Sequence, residues 1–105
     1  MPKLEKKLRC ESNYWRNYGN IQFKLNNYEA AINSLNNAKS LSSSPEIYLG
    51  LGMCYEKIKK YDNAIINYKQ LVLLHPSKFK YRFNLMRAYL KIMIKKKLLK
   101  LLMEY

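Results

Sequence analysis

The sequence predicts an all-α protein made of stacked antiparallel helix pairs. Three observations predict it. A pattern of aromatic and small residues recurs at a fixed spacing, apolar residues follow helical periodicity between the recurrences, and no segment shows the alternation of a half-buried strand. The recurrence is the strongest of the three. Trp15-Arg16-Asn17-Tyr18-Gly19 aligns with Tyr48-Leu49-Gly50-Leu51-Gly52, and Asn27-Tyr28-Glu29-Ala30-Ala31-Ile32 aligns with Lys60-Tyr61-Asp62-Asn63-Ala64-Ile65. The matched positions all lie 33 residues apart, and Gly19 and Ala31 each meet their own kind in Gly52 and Ala64.

Each unit divides into two helices. Ser12 is a residue type that caps helices, and the first helix is predicted from there to about Leu25, where Asn26-Asn27 supplies a turn. The second runs from about Tyr28 to Leu41, with Tyr28, Ala31, Ile32, Leu35 and Ala38 at helical spacing. Ser42-Ser43-Ser44 ends it, and Pro45 suits the first turn of a third helix ending near Ile58. Lys59-Lys60 forms the next turn, the fourth helix spans Tyr61 to about Leu74, and His75-Pro76-Ser77 breaks the chain again. The expected organisation is a basic lead-in over 1–11, two units over 12–44 and 45–77, and a degenerate third unit over 78–105.

These landmarks resemble the tetratricopeptide repeat (TPR) family, a helix-turn-helix of about 34 residues with the pattern W-x2-L-G-x2-Y, then A-x3-F, then P. In the second unit Tyr48, Leu51, Gly52, Tyr55, Ala64, Tyr68 and Pro76 fall in place. The first has Trp15, Tyr18, Gly19, Ala31, Leu35 and Ala38, with Gln22 replacing an aromatic and Ser43 the proline. In the third, Leu85, Ala88 and Tyr89 are in register before the pattern decays, and Leu98 stands where a small Ala is expected. The resemblance implies a short right-handed solenoid of two full repeats and a degenerate third. Gly19, Gly52, Ala31 and Ala64 should lie where the helices of a unit cross. Trp15, Tyr18, Tyr48, Tyr55 and Tyr68 should fill the wider gaps as core.

Function is expected from a groove, with no catalytic site. The lone histidine, His75, lies beside a proline with no Cys or carboxylate spaced to join it, and the seven acids form no metal-ligand cluster. Gly19, Gly50 and Gly52 sit inside helices, so no glycine loop cradles a phosphate. No enzyme, cofactor or metal is therefore predicted. Cys10 and Cys54 read as free thiols, Cys54 as a small buried hydrophobe.

The resemblance implies a concave face lined by the first helix of each unit. Side chains there that packing does not claim are Asn13, Arg16, Asn20, Phe23 and Lys24 in unit one. Unit two offers Glu46, Leu49, Met53, Glu56 and Lys57, and unit three Lys80, Phe83, Asn84, Arg87 and Lys91. Family members that grip the acidic C-terminal peptide of chaperones use a carboxylate clamp of two basic residues, two asparagines and a further arginine. By position Arg16, Asn20 and Lys80 match it, whereas Gly50 and Asn84 do not.

Charge points the same way. The formal net charge is +13, from 20 Lys and Arg against 7 Asp and Glu. Nine of the basic residues fall in 78–105 against the single acid Glu104. Such a surplus favours an acidic partner, here another protein or an acidic peptide. Nucleic acid is disfavoured, because the cations gather at one end and the tyrosines are claimed by the core.

From Ser77 onward there is no Gly or Pro, so a weak bend or one long helix is expected to Tyr105. Its apolar stripe, Phe83, Leu90, Ile94, Leu98, Leu101 and Tyr105, would cap unit two, self-associate through residues 94–105, or meet a partner or an anionic membrane surface. The N-terminus does not read as a signal peptide, no stretch is apolar enough to span a bilayer, and a cytoplasmic location is expected. Segments 44–55 and 75–79 are also similar to the TPR tails of bacterial O-antigen ligase-like membrane enzymes. That likeness would make the chain a portion of a larger membrane-associated protein.

Overall fold

A computed structural model describes residues 2–104 as five helices, with no strand among them. They are α1 (Pro2–Lys24), α2 (Tyr28–Leu41), α3 (Pro45–Lys57), α4 (Tyr61–Leu74) and α5 (Phe79–Met103). Each helix packs on the one before and the one after it, and α1 also touches α3. That succession of neighbour contacts is the pattern of a helical repeat protein.

The two turns inside the units are built alike. Asn26 takes φ 65° and Lys59 takes φ 62°, the left-handed conformation that ends many helices. In the first turn the Asn27 N–H donates to the Gln22 carbonyl at 2.9 Å and the Asn26 N–H to the Phe23 carbonyl at 2.9 Å. In the second the Lys60 N–H donates to the Tyr55 carbonyl at 2.9 Å and the Lys59 N–H to the Glu56 carbonyl at 3.0 Å. Both are Schellman caps, which close the otherwise unsatisfied carbonyls at a helix end. The repeat in sequence is thus a repeat in hydrogen bonding. Between the units Pro45 opens α3 in its first turn, where its missing N–H costs nothing.

The core forms two clusters, each at a junction between units. The first joins Ala31, Ile32, Leu35 and Ala38 of α2 to Ile47, Leu51 and Cys54 of α3, with Trp15, Phe23, Tyr55 and Ile58 against it. The second joins Ala64, Ile65, Tyr68 and Leu71 of α4 to Tyr81 and Ala88 of α5, flanked by Tyr48, Tyr55, Leu85 and Ile92 among others. Ala31 and Ala64 are fully buried, as their repeat positions require. The glycines act through their missing side chain. A Cβ at Gly19 would lie 2.9 Å from Leu35 Cγ, and one at Gly52 would overlap the Tyr68 ring.

Three sequence expectations are corrected. Ser12 does not cap a helix, because α1 is already under way from Pro2. Ser12 is buried in mid-helix, and its hydroxyl lies 2.8 Å from the Ala38 carbonyl and 2.7 Å from the Ser42 carbonyl, tying α1 to the end of α2. Tyr18 is 46% exposed and meets Trp15 edge-on at 6.3 Å, so it fills no gap between units. The apolar stripe of α5 is also not the face that packs. Phe83, Leu90, Ile94, Leu98 and Leu101 are exposed, while Tyr81, Leu85, Ala88 and Ile92 meet α4. Tyr105, the last member of that stripe, lies outside the described residues. The helix itself runs uninterrupted to Met103, the second of the two expected forms.

Candidate functional site: a basic cleft across three helices

The packed face of α5 follows unit two with a spacing of 34. Ile47, Leu51, Cys54 and Ile58 face the preceding α2, and Tyr81, Leu85, Ala88 and Ile92 face α4 in the same way. This register places α1, α3 and α5 as successive first helices and opens a cleft between them in two segments.

The first segment, of about 300 Å3, is lined by Asn20, Phe23 and Lys24 of α1, Leu35 of α2, and Gly50, Met53 and Cys54 of α3. Its floor is apolar and its mouth carries an amide and an ammonium group. Gly50 keeps it open. A Cβ there would stand 3.0 Å from Leu35 Cδ1 and 3.9 Å from Asn20 Oδ1. The second segment, of about 240 Å3, is lined by Met53, Glu56, Lys57, Arg87 and Lys91. Met53 lines both, so the two adjoin across its side chain.

Glu56 organises the second segment. Its carboxylate accepts from Tyr68 Oη at 2.6 Å, from Arg87 Nη2 at 2.8 Å and Nε at 3.3 Å, and from Lys91 Nζ at 3.0 Å. Burial alone would raise its pKa. The hydrogen bonds from Arg87, Tyr68 and Lys91 outweigh burial and hold the carboxyl at about 2. The Tyr68 hydroxyl is pushed the opposite way, first by burial and then by its bond to this carboxylate, so it stays a donor. Both cations are partly exposed and present their remaining N–H groups to the cleft.

Of the ten groove residues expected from sequence, Asn20, Phe23, Lys24, Met53, Lys57 and Arg87 line this cleft. The other four do not. Arg16 lies 3.8 Å from Glu46 in an ion pair near the start of α3. Leu49 is half-buried against the second core cluster, Asn84 is buried, and Lys80 is exposed but lines neither segment. Of the three clamp positions, Asn20 lines the first segment, Arg16 is paired with Glu46 and Lys80 is exposed outside both segments. Glu56, expected to be free for a partner, is instead the buried anchor of α5. The sequence carried no signal for it, because Arg87 and Lys91 lie 31 and 35 residues from Glu56 and neither falls at its repeat position. Among the described residues no group of three His, Cys, Asp or Glu could hold a metal ion.

Five helices packed in succession with a cleft across alternate members define a helical-repeat protein, a class of protein-interaction modules. The family model described as anaphase-promoting complex, cyclosome, subunit 3, a TPR-type repeat family, matches residues 4–71. The chain belongs to that family. TPR-type repeat families are in general non-catalytic scaffolds. No curated protein matches the chain.

Proposed function

We propose that the cleft across α1, α3 and α5 holds an acidic segment of a partner protein, with apolar side chains of that segment seated between Phe23 and Met53. The observation that carries this reading is the charge of the lining. Lys24, Lys57, Arg87 and Lys91 face a single carboxylate, Glu56, which their own chain already bonds. Three positive charges remain over a floor of Phe23, Leu35 and Met53, and carboxylates of a bound segment would meet them with charge-assisted hydrogen bonds. The matching family is named for a subunit of an anaphase-promoting complex, and a place in a multi-protein assembly is in keeping with a module that grips another chain.

Fluorescence anisotropy with a panel of acidic, neutral and basic peptides tests it. Acidic peptides that contain Leu or Phe should bind most tightly. Replacing Lys24 and Lys57 together by Glu should weaken them on the order of a hundredfold, about tenfold for each lost contact. Lys80→Glu, outside the cleft, should have little effect. Equal binding of acidic and basic peptides, or an unchanged affinity in the double variant, would overturn the proposal.

A further inference from the structure

From Met93 to Met103 every residue of α5 is exposed. A 25-residue helix is about 37 Å long and the 14-residue α4 beneath it about 21 Å, so the C-terminal turns run past the packed units. Met93, Ile94, Leu98, Leu99, Leu101, Leu102 and Met103 are all exposed there, Leu102 at 73% and Met103 at 85%.

At about 100° per residue, Ile94, Leu98, Leu99, Leu101 and Leu102 occupy one arc of roughly 160°. Lys96, Lys97 and Lys100 lie on the opposite side. Two further lysines, Lys91 and Lys95, would interrupt the apolar arc, and both are engaged within the chain. Lys91 bonds Glu56 at 3.0 Å, and the Lys95 ammonium stands 6.0 Å from the centre of the Tyr61 ring. Ile94, Leu98, Leu99 and Leu102 then form an apolar groove of about 380 Å3 with Tyr61, and Lys59 adds a cation to it.

We infer that this end of α5 docks on an anionic lipid surface. Its leucines would enter the headgroup boundary, with Lys96, Lys97 and Lys100 reaching to acidic headgroups. A broad apolar arc backed by lysines is the pattern of a helix that lies in a membrane interface. Nothing in it fits a transmembrane role, because no described helix is long and apolar enough to cross a bilayer. A second copy of the chain is the less suitable cover. Two copies, each with a net charge of +13, would approach against like-charge repulsion, with Glu104 the single acid of 78–105 to offset it.

Co-sedimentation of the full chain with vesicles tests the inference. Binding is expected to phosphatidylcholine vesicles that carry about a third phosphatidylserine, and should fall as salt is raised. Pure phosphatidylcholine should retain little. Replacing Lys96, Lys97 and Lys100 by Glu should weaken binding on the order of a hundredfold, since each lysine near such a surface counts for about fivefold. Leu98→Ser with Leu101→Ser should weaken it comparably. All five positions are exposed, so circular dichroism and peptide binding in the cleft should match the parent, which separates this test from that of the cleft. Failure to sediment with anionic vesicles would overturn the inference, as would equal binding to neutral ones. A tight dimer that the two serine substitutions dissociate, with no vesicle binding, would assign the face to a second copy instead.

Discussion

α3 and α5 occupy equivalent places in successive units, yet one is enclosed and the other is half bare. The difference begins at single positions. α3 carries Gly52 at its crossing with α4, so close that a Cβ would overlap the Tyr68 ring. The equivalent residue of α5 is Met86, which is 61% exposed, and its neighbours Arg82 and Tyr89 are also open to solvent. In unit two, small residues let a second helix close over the first. In unit three a long side chain stands at that point, and among the described residues no helix follows to cover it.

The comparison can be broken most directly at the crossing. Gly52→Val should destabilise the chain by about 3 kcal/mol through overpacking against Tyr68, read as a lower urea midpoint. Ala64→Leu, at the buried alanine of the same unit, should cost about 2 kcal/mol by the same mechanism. If either variant melts with the parent, the repeat register is wrong.

Glu56 tests how α5 is tied to α3. Glu56→Gln should cost about 2 kcal/mol, the usual scale for a lost charged hydrogen bond. The sign with pH follows from the depressed pKa. Glu56 falls from the ordinary carboxylate value of 4.5 to about 2 on folding, so its contribution is full above pH 4.5. It is lost as the pH drops towards 2. The gap between parent and variant in urea melts should therefore narrow across that window, and a constant gap would show that the carboxylate is not held ionised.

Smaller effects sharpen the contrast. Lys59 sits in the left-handed region that glycine adopts freely, so Lys59→Gly should stabilise by about 0.5–1 kcal/mol in thermal melts. Met86→Ala should change stability by less than about 0.5 kcal/mol, because its side chain is bare where that of Gly52 would be crushed. The thiols divide along the same line. Cys54 is buried, and desolvation raises its pKa to about 11, whereas Cys10 is exposed. A thiol reagent should modify Cys10 in the native protein and Cys54 only on unfolding.

The helix-pair architecture was legible in the chain, because its signals are local. Asn26-Asn27, Lys59-Lys60, Ser42 to Pro45 and His75 to Ser77 place the turns within a residue or so, and α2 and α4 match their expected spans. Gly19, Gly52, Ala31 and Ala64 announced the crossings by their size and spacing. Of the ten residues expected along a groove, six line the two cleft segments, since a first helix presents the same face in every unit. Ser12 shows the limit of such signals. A serine before an apolar run reads as a cap, but the helix had already started, and the hydroxyl found carbonyls 26 and 30 residues away.

What the sequence by itself determined is the period, the number of helices and the places where backbones come close, because steric size and helical spacing act over a few residues. Only the tertiary structure decided which polar groups are free. Glu56 looked like a groove residue until Tyr68, Arg87 and Lys91 closed around it from 12, 31 and 35 residues away. The exposed stripe of α5 was decided in the same way. Helical spacing defines more than one apolar face on that helix, and the shape of α4 selects Tyr81, Leu85, Ala88 and Ile92 for burial. Charge pairing and the choice of face depend on what lies across the packed interface, and that is set by the fold.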